Sequence, residues 1–314
     1  MEFAGGVHRR ESVGDNQRAA PASPGVPGQP GEQLTFSVIV PYRNEASHIA
    51  ACCESLQRQT IRRERYELLF VDNGSTDGTT GAIRGGPGTT VMREEKPGAY
   101  VARNAAIRSA KGRFLAFTDA DCVAEPDWLE QSQEALHATG AAVAVGRRVC
   151  PPGSPRGLRL LQIYEDAKLE LLPQLPSRFA FGICGNMVIR ADVMHRVGPF
   201  DEWQRAADTA YIHRVIQCDP AHRVVFWPAM CVTHLGDHTT GQALRKMFVY
   251  GASNTRAARD GGYAPLESDH RWELWRACCR DPRCRARDRL YLFSLLVSGG
   301  VLYKTGEWKG RLGW

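Results

Sequence analysis

Two carboxylates one residue apart, Asp119 and Asp121, close the apolar run Phe114-Leu-Ala-Phe-Thr118. A strand that delivers Asp-x-Asp into a loop offers hard oxygen ligands. Mg²⁺ or Mn²⁺ takes only one or two protein carboxylates when it also holds a diphosphate. The pair therefore points to a nucleotide-activated substrate; the alternative is that one Asp caps the next helix and the other is solvated. Asp72 ends another apolar run and precedes Asn73-Gly74-Ser75. It can accept from a nucleobase N–H or make an Asx-turn. Asp77, ahead of Gly78, reads as a cap. Arg103 sits in an Ala-rich helical segment that suits a diphosphate at its N-terminus, whereas Arg93 and Lys96 read as solvated. Asp208 opens a helical segment, either as base for an acceptor hydroxyl or as a cap, and spacing does not separate the two. His234 and His238 straddle Gly236-Asp237, and a His after a strand is either a metal ligand or structural.

The elements that position these residues alternate. Phe36–Val40 is a buried strand ended by Pro41, followed by helical spacing at Ile49, Cys52, Cys53 and Leu56. Glu67–Val71 is a second strand, Thr89–Met92 a short third, Ala99–Ala110 a helix, and the Asp119 run the fourth strand. Pro126 opens a helix through Thr139, and Ala141–Val145 is a fifth strand. Such alternation predicts an α/β fold: an open, mostly parallel sheet with helices on both faces, and ligands at strand C-termini. Loops 41–45, 72–78 and 119–122 should then converge on one cleft. Further on, Leu158–Leu172 and Ala206–Gln217 read as helices, Phe179–Ile189 as a loop between two strand segments, and Arg223–Trp227 as a strand.

The chain of 314 residues carries a net charge of +6, which suits anionic partners and equally reflects the Arg- and Ala-rich usage of a high-GC bacterium. No nucleic-acid partner is expected. Ten cysteines show no paired Cys-x-x-Cys elements, so neither a zinc site nor a disulfide framework is indicated. Residues 1–33 lack a signal peptide and hold a Pro- and Gly-rich stretch, read as a disordered tail. The expected location is cytoplasmic.

Six segments occur in order: Ser37-Val-Ile-Val-Pro-Tyr-Arg-Asn-Glu45, Val71-Asp-Asn-Gly-Ser-Thr-Asp-Gly-Thr79, Ala102-Arg-Asn-Ala-Ala-Ile-Arg-Ser-Ala-Lys-Gly112, Phe117-Thr-Asp-Ala-Asp121, Gly185-Asn186 and Gly198-Pro-Phe-Asp-Glu202. Together they resemble the family-2 inverting glycosyltransferases of the GT-A fold, over roughly residues 36–240. The resemblance implies a Rossmann-like nucleotide-binding half (34–122), an acceptor half (123–240) and a helical extension (241–314). It implies a metal-dependent transfer of one sugar, of the hexosyl or N-acetylhexosaminyl class, from a nucleoside diphosphate sugar, a UDP-sugar first. The acceptor would be a sugar, a lipid-linked molecule or a natural product. Carried over by position, Pro41, Tyr42, Arg43 and Glu45 match the nucleoside loop, Asp72 the base-reading acid, Arg103 the diphosphate contact and Asp119 the ribose side. Asp121 matches the metal ligand, with His234 completing the site and Mn²⁺ or Mg²⁺ as the ion. Gly185 and Asn186 match the acceptor loop, and Asp208 the catalytic base. The family's Glu before that base is Ala207 here. Arg271-Trp272 echoes a Gln-x-x-Arg-Trp signature of processive members, but Ser268 stands in the Gln position.

Leu290–Tyr303 is apolar, shorter than the ~20 residues of a spanning helix, and flanked by Arg280, Arg283, Arg285, Arg287, Arg289 and Lys304. It reads either as a helix in the membrane interface, peripheral at the inner face, or as a core helix. A nucleotidyltransferase is the competing enzyme class, disfavoured because Pro41–Glu45 replaces a Gly-rich phosphate loop. A non-catalytic sugar-nucleotide binder is the other.

Overall fold

β1 (Phe36–Tyr42), β2 (Tyr66–Asp72), β3 (Thr89–Arg93) and β4 (Phe114–Thr118) pair in parallel in the order β3-β2-β1-β4. Val38, Leu68, Phe70, Phe114 and Ala116 face one side of the sheet; Ile39, Leu69, Val71, Leu115 and Phe117 face the other. Both faces of β1, β2 and β4 are covered, so these three strands read as apolar runs, whereas β3 is a half-exposed edge strand. α1 (Ile49–Gln57) and α3 (Trp128–Thr139) cover the first face. α2 (Ala99–Ser109), α5 (Ala191–Val197) and α6 (Ala207–Cys218) cover the second.

The computed structural model describes residues 34–174, 181–202, 205–219, 221–261 and 268–311. The expected tail, residues 1–33, and the start of the segment expected as the first strand of the 179–189 pair lie outside the described residues. Of that pair the structure holds one strand, β7 (Asn186–Arg190), which runs antiparallel to β4 and to β6 (Val143–Val149). β8 (Val224–His234) extends well past Trp227 because it pairs twice, parallel with β6 and antiparallel with β5 (Cys122–Ala124), across an irregularity at Gly146/Arg147. The sheet is thus mostly parallel, with antiparallel pairings of β7 with β4 and β6 and of β5 with β8.

Pro41, expected to end the first strand, lies inside β1 opposite Val71. The Tyr42 carbonyl accepts from the Asn73 N–H on the β2 side, so Pro41 faces β4, whose pairing with β1 stops at Ile39. No ladder bond is lost there.

The remaining helices are α4 (Arg156–Leu171), α7 (Thr240–Gly261), α8 (Ser268–Arg280) and α9 (Ala286–Arg311). Leu160 and Ile163 of α4 pack with Cys278 and Leu292. Asp166 of α4 accepts from Arg283 at 2.8 Å and lies 3.3 Å from Arg147. α7 and α9 approach backbone to backbone: a Cβ at Gly306 would lie 2.0 Å from the Phe248 carbonyl oxygen. No helix among the described residues is long and apolar enough to cross a membrane.

Candidate active site

The C-terminal ends of β1 and β4 open into one cleft of about 2040 Å³. Pro41, Tyr42, Arg43 and Glu45 line it together with Arg103, Asp119, Asp121, Gly185, Asp208 and His234. Two loops are tied together at its rim. Asn44, at φ 56°, accepts from the Thr76 N–H, the Glu45 N–H donates to Thr79 Oγ1, and the Ala46 N–H donates to Asp77. Asp77 also accepts from the Thr79 N–H, closing an Asx-turn ahead of the short 3-10 turn whose N-cap is Gly78 rather than Asp77. Glu45 is held by His48 at 2.8 Å.

Arg103, on the inner face of α2, is 4% exposed and pairs with Asp119 in the cleft. Its Nε has no hydrogen-bond partner among the described residues, and a buried guanidinium N–H left over in this way suits an anionic oxygen. Arg93 and Lys96 pair with Glu95 and Glu202 on the surface.

Asp121 and His234 meet at 3.2 Å, brought together because β5 pairs Cys122 with His234. Burial would raise the Asp121 pKa, but the His234 hydrogen bond and charge, with Arg148 and Lys246, hold it down to about 2. A Cβ at Gly236 would lie 2.1 Å from Asp121 Oδ2, so only glycine leaves this carboxylate room. One carboxylate and one imidazole form a donor set that fits Mn²⁺ or Mg²⁺. Among the described residues no three His, Cys, Asp or Glu side chains converge. Such a cation would therefore draw its remaining oxygens from a diphosphate and water.

Asp208 lies in the first turn of α6 and accepts from the Thr209 N–H at 2.9 Å and the Cys184 N–H at 3.2 Å. Its burial pushes the carboxyl pKa up, against the lowering effect of these bonds and of Arg103. A buried carboxylate of raised pKa, in the cleft that also holds the Arg103–Asp119 ion pair, has the placement that proton-transfer chemistry requires. Ala207 beside it is fully buried against Phe200 and Tyr211, in apolar surroundings that a Glu side chain would not share.

Two expected contacts are not brought into the cleft. Asp72 is 6% exposed, does not line it, and accepts from the Ser75 N–H at 2.8 Å and the Thr80 hydroxyl, which is the turn alternative. Asn73, next to it, does line the cleft and clamps the approach to α2 through the Glu94 and Lys96 carbonyls and the Gly98 N–H. Asn186 is fully buried, donating to the Arg147 and Met230 carbonyls and accepting from Trp128 Nε1. Its amide joins β6, β8 and α3, while Gly185 lines the cleft alone.

Arg148 was missed from the sequence. It lines the cleft beside Asp119 and makes no hydrogen bond or ion pair among the described residues. Burial disfavours its charge, but Tyr250, Cys122, Asp119 and Glu165 outweigh that and raise its pKa. The signal was a pair of cations, Arg147-Arg148, inside an otherwise apolar strand, Val143-Ala-Val-Gly-Arg-Arg-Val149.

This sheet, with its acids and cations gathered at the strand ends, is the architecture of a glycosyltransferase. The chain belongs to glycosyl transferase family 2, whose model matches residues 37–198, just over half of it. It is similar to Glycosyltransferase AglE of Haloferax volcanii, 32% identical over 204 residues, covering 59% of this chain and 66% of that one. It is similar also to Putative glycosyltransferase EpsH of Bacillus subtilis, 33% identical over 104 residues, covering 32% and 30%. The chain thus spans about two thirds of the first relative and under a third of the second. Among solved structures, a mannosyltransferase, PcManGT from Pyrobaculum calidifontis in complex with GDP-Man and Mn²⁺, superposes with a TM-score of 0.57 at 19% identity, over 86% of this chain and 76% of that one. S. aureus TarS 1-349 superposes with a TM-score of 0.52 at 18% identity, over 90% and 92%. At these identities the likeness is one of fold.

Proposed function

We propose that this cleft moves a single sugar from a nucleoside diphosphate sugar to an acceptor hydroxyl, with inversion at the anomeric carbon. The observation that carries the proposal is the convergence of a buried carboxylate of raised pKa, Asp208, with the Arg103–Asp119 pair in one cleft. The diphosphate lies against the spare N–H of Arg103 and the unpaired guanidinium of Arg148. Asp121 and His234 would hold Mn²⁺ or Mg²⁺, which when bound neutralises the departing diphosphate. Asp208 takes the proton of the acceptor hydroxyl as it attacks from the face opposite the leaving group, so no covalent enzyme intermediate is needed. The loop at 41–45, with Asn73, bounds the nucleoside end. Support for the donor class comes from PcManGT, solved with GDP-Man and Mn²⁺, and from TarS 1-349, solved with UDP at a TM-score of 0.51. For this chain a UDP-sugar is the first donor to try.

The test is transfer by Asp208→Asn. Loss of a general base lowers turnover by at least about 100-fold while donor affinity stays near the wild-type value. Transfer within a few-fold of wild type would assign the base elsewhere. Release of a nucleoside monophosphate instead of a diphosphate would make the enzyme a nucleotidyltransferase.

A further inference from the structure

α9 is apolar on two faces, and packing accounts for one of them. Leu292 and Leu295 are buried, Leu292 against α4, and Gly299 meets α7. The other face carries Leu290, Phe293, Val297, Val301 and Trp308, each half or more exposed, with Leu290 at 79%. At about 100° per residue these five fall within about 80° of arc and run for about 27 Å along the helix. Scattered apolar residues on a surface mean little, but an ordered stripe of this length marks an interaction surface.

The stripe is continuous with the catalytic cleft. Phe293, Val297, Val301 and Trp308 line the same cleft as Asp119 and Asp208, and Trp272 of α8, 54% exposed, lines it with them. One end of the cleft is thus cationic and acidic, built for a nucleotide, and its other end opens along an apolar helix. The charges around the stripe fit one kind of surface. Arg280, Arg285 and Arg287 are exposed at the N-terminal end and make no ion pair among the described residues. At the far end Lys309 lies over the Phe248 ring, beside Trp308. Exposed Trp272 and Trp308 along the cleft, an apolar stripe on a helix that is not apolar enough all round to span, and cations beyond it match an anionic lipid leaflet: apolar residues enter the acyl boundary while guanidinium groups meet headgroup charge.

We infer that α9 seats the enzyme on an anionic lipid leaflet, with the mouth of the catalytic cleft facing the lipid. An acceptor would then enter from the leaflet side; that consequence rests on the transferase reading, whereas the docking itself does not.

The test is flotation of the full chain with vesicles of phosphatidylcholine and phosphatidylglycerol in equal parts, against vesicles of phosphatidylcholine alone. The wild type should float with the anionic vesicles, and its partition should fall by at least about tenfold in the double variant Val297→Glu, Val301→Glu. Partition should also drop when salt is raised. Val91→Glu removes an exposed apolar side chain on the edge strand β3, away from the stripe, and should float as the wild type does. A melting curve for each variant separates unfolding from lost docking. The inference is overturned if the wild type stays with the unbound fraction, or if the folded double variant floats unchanged. It is overturned too if sedimentation shows a dimer that the double variant abolishes, which would assign the stripe to a second copy of the chain. Donor binding is read in none of these arms, so a failure of the transferase reading would appear separately.

Discussion

Asp208 illustrates how one side chain's surroundings set both chemistry and stability. Because burial holds its pKa above the ordinary carboxylate value, the folded chain keeps a proton there that the unfolded chain has released over the window between the two. Whatever stability the group contributes is present at low pH and is lost as pH rises through the folded pKa. Asp208→Asn has no such proton to lose. Denaturant melts at about pH 4 and about pH 8 should therefore show the variant gaining on wild type as pH rises; parallel pH dependence in the two proteins would mean that the carboxylate is not perturbed by burial. At this scale the sequence was legible where type and position coincide. Asp119, Asp121 and Arg103 follow from a strand end and a helix face. Asp72 shows the limit: a carboxylate before Asn-Gly-Ser has a turn of its own to cap, and that local bond wins. Arg148 shows the opposite limit: the Arg147-Arg148 pair in an apolar run is visible in the sequence, but only the folded strand shows that Arg148 lines the cleft while Arg147 lies 3.3 Å from Asp166.

Between elements, the decisive contacts join segments far apart in the chain. Asn186 links β7 to the carbonyls of Arg147 and Met230 and to the Trp128 indole. Asn186→Ala strands all three partners in a dry interior, at a cost of about 3 kcal/mol. We expect a clear drop in melting temperature; a raised acceptor KM at unchanged melting temperature would return Asn186 to the acceptor loop that its neighbour Gly185 suggests. β1, β2 and β4 were readable because both their faces are buried and their apolar runs are long; β3, half-exposed at the edge, was readable only as a short β-branched stretch. The length of β8 was not, because its extension past Pro228 depends on β5 and β6 as partners. Pro41 was misread for the same reason: whether a proline ends a strand depends on which neighbour its missing N–H faces.

For the whole molecule, the parallel half of the sheet gathers the acids and cations at its strand ends, and α6 and the end of β8 bring Asp208 and His234 into the same cleft. α7 and α9 then wall the cleft with apolar surface. That wall was visible in sequence only as an apolar run with basic flanks, which serves a core helix or an interfacial one equally well; α9 is partly both, one face packed and one bare. The proposed transfer requires this cleft to bind a nucleoside diphosphate together with a divalent cation held at Asp121. The most direct measurement is calorimetric titration of UDP and of GDP into the wild type and Asp121→Asn, with and without Mn²⁺. One nucleotide should bind the wild type in a Mn²⁺-dependent manner, and the variant should lose this binding by at least about tenfold. Equal binding by both proteins, or no Mn²⁺ dependence in the wild type, would contradict that requirement.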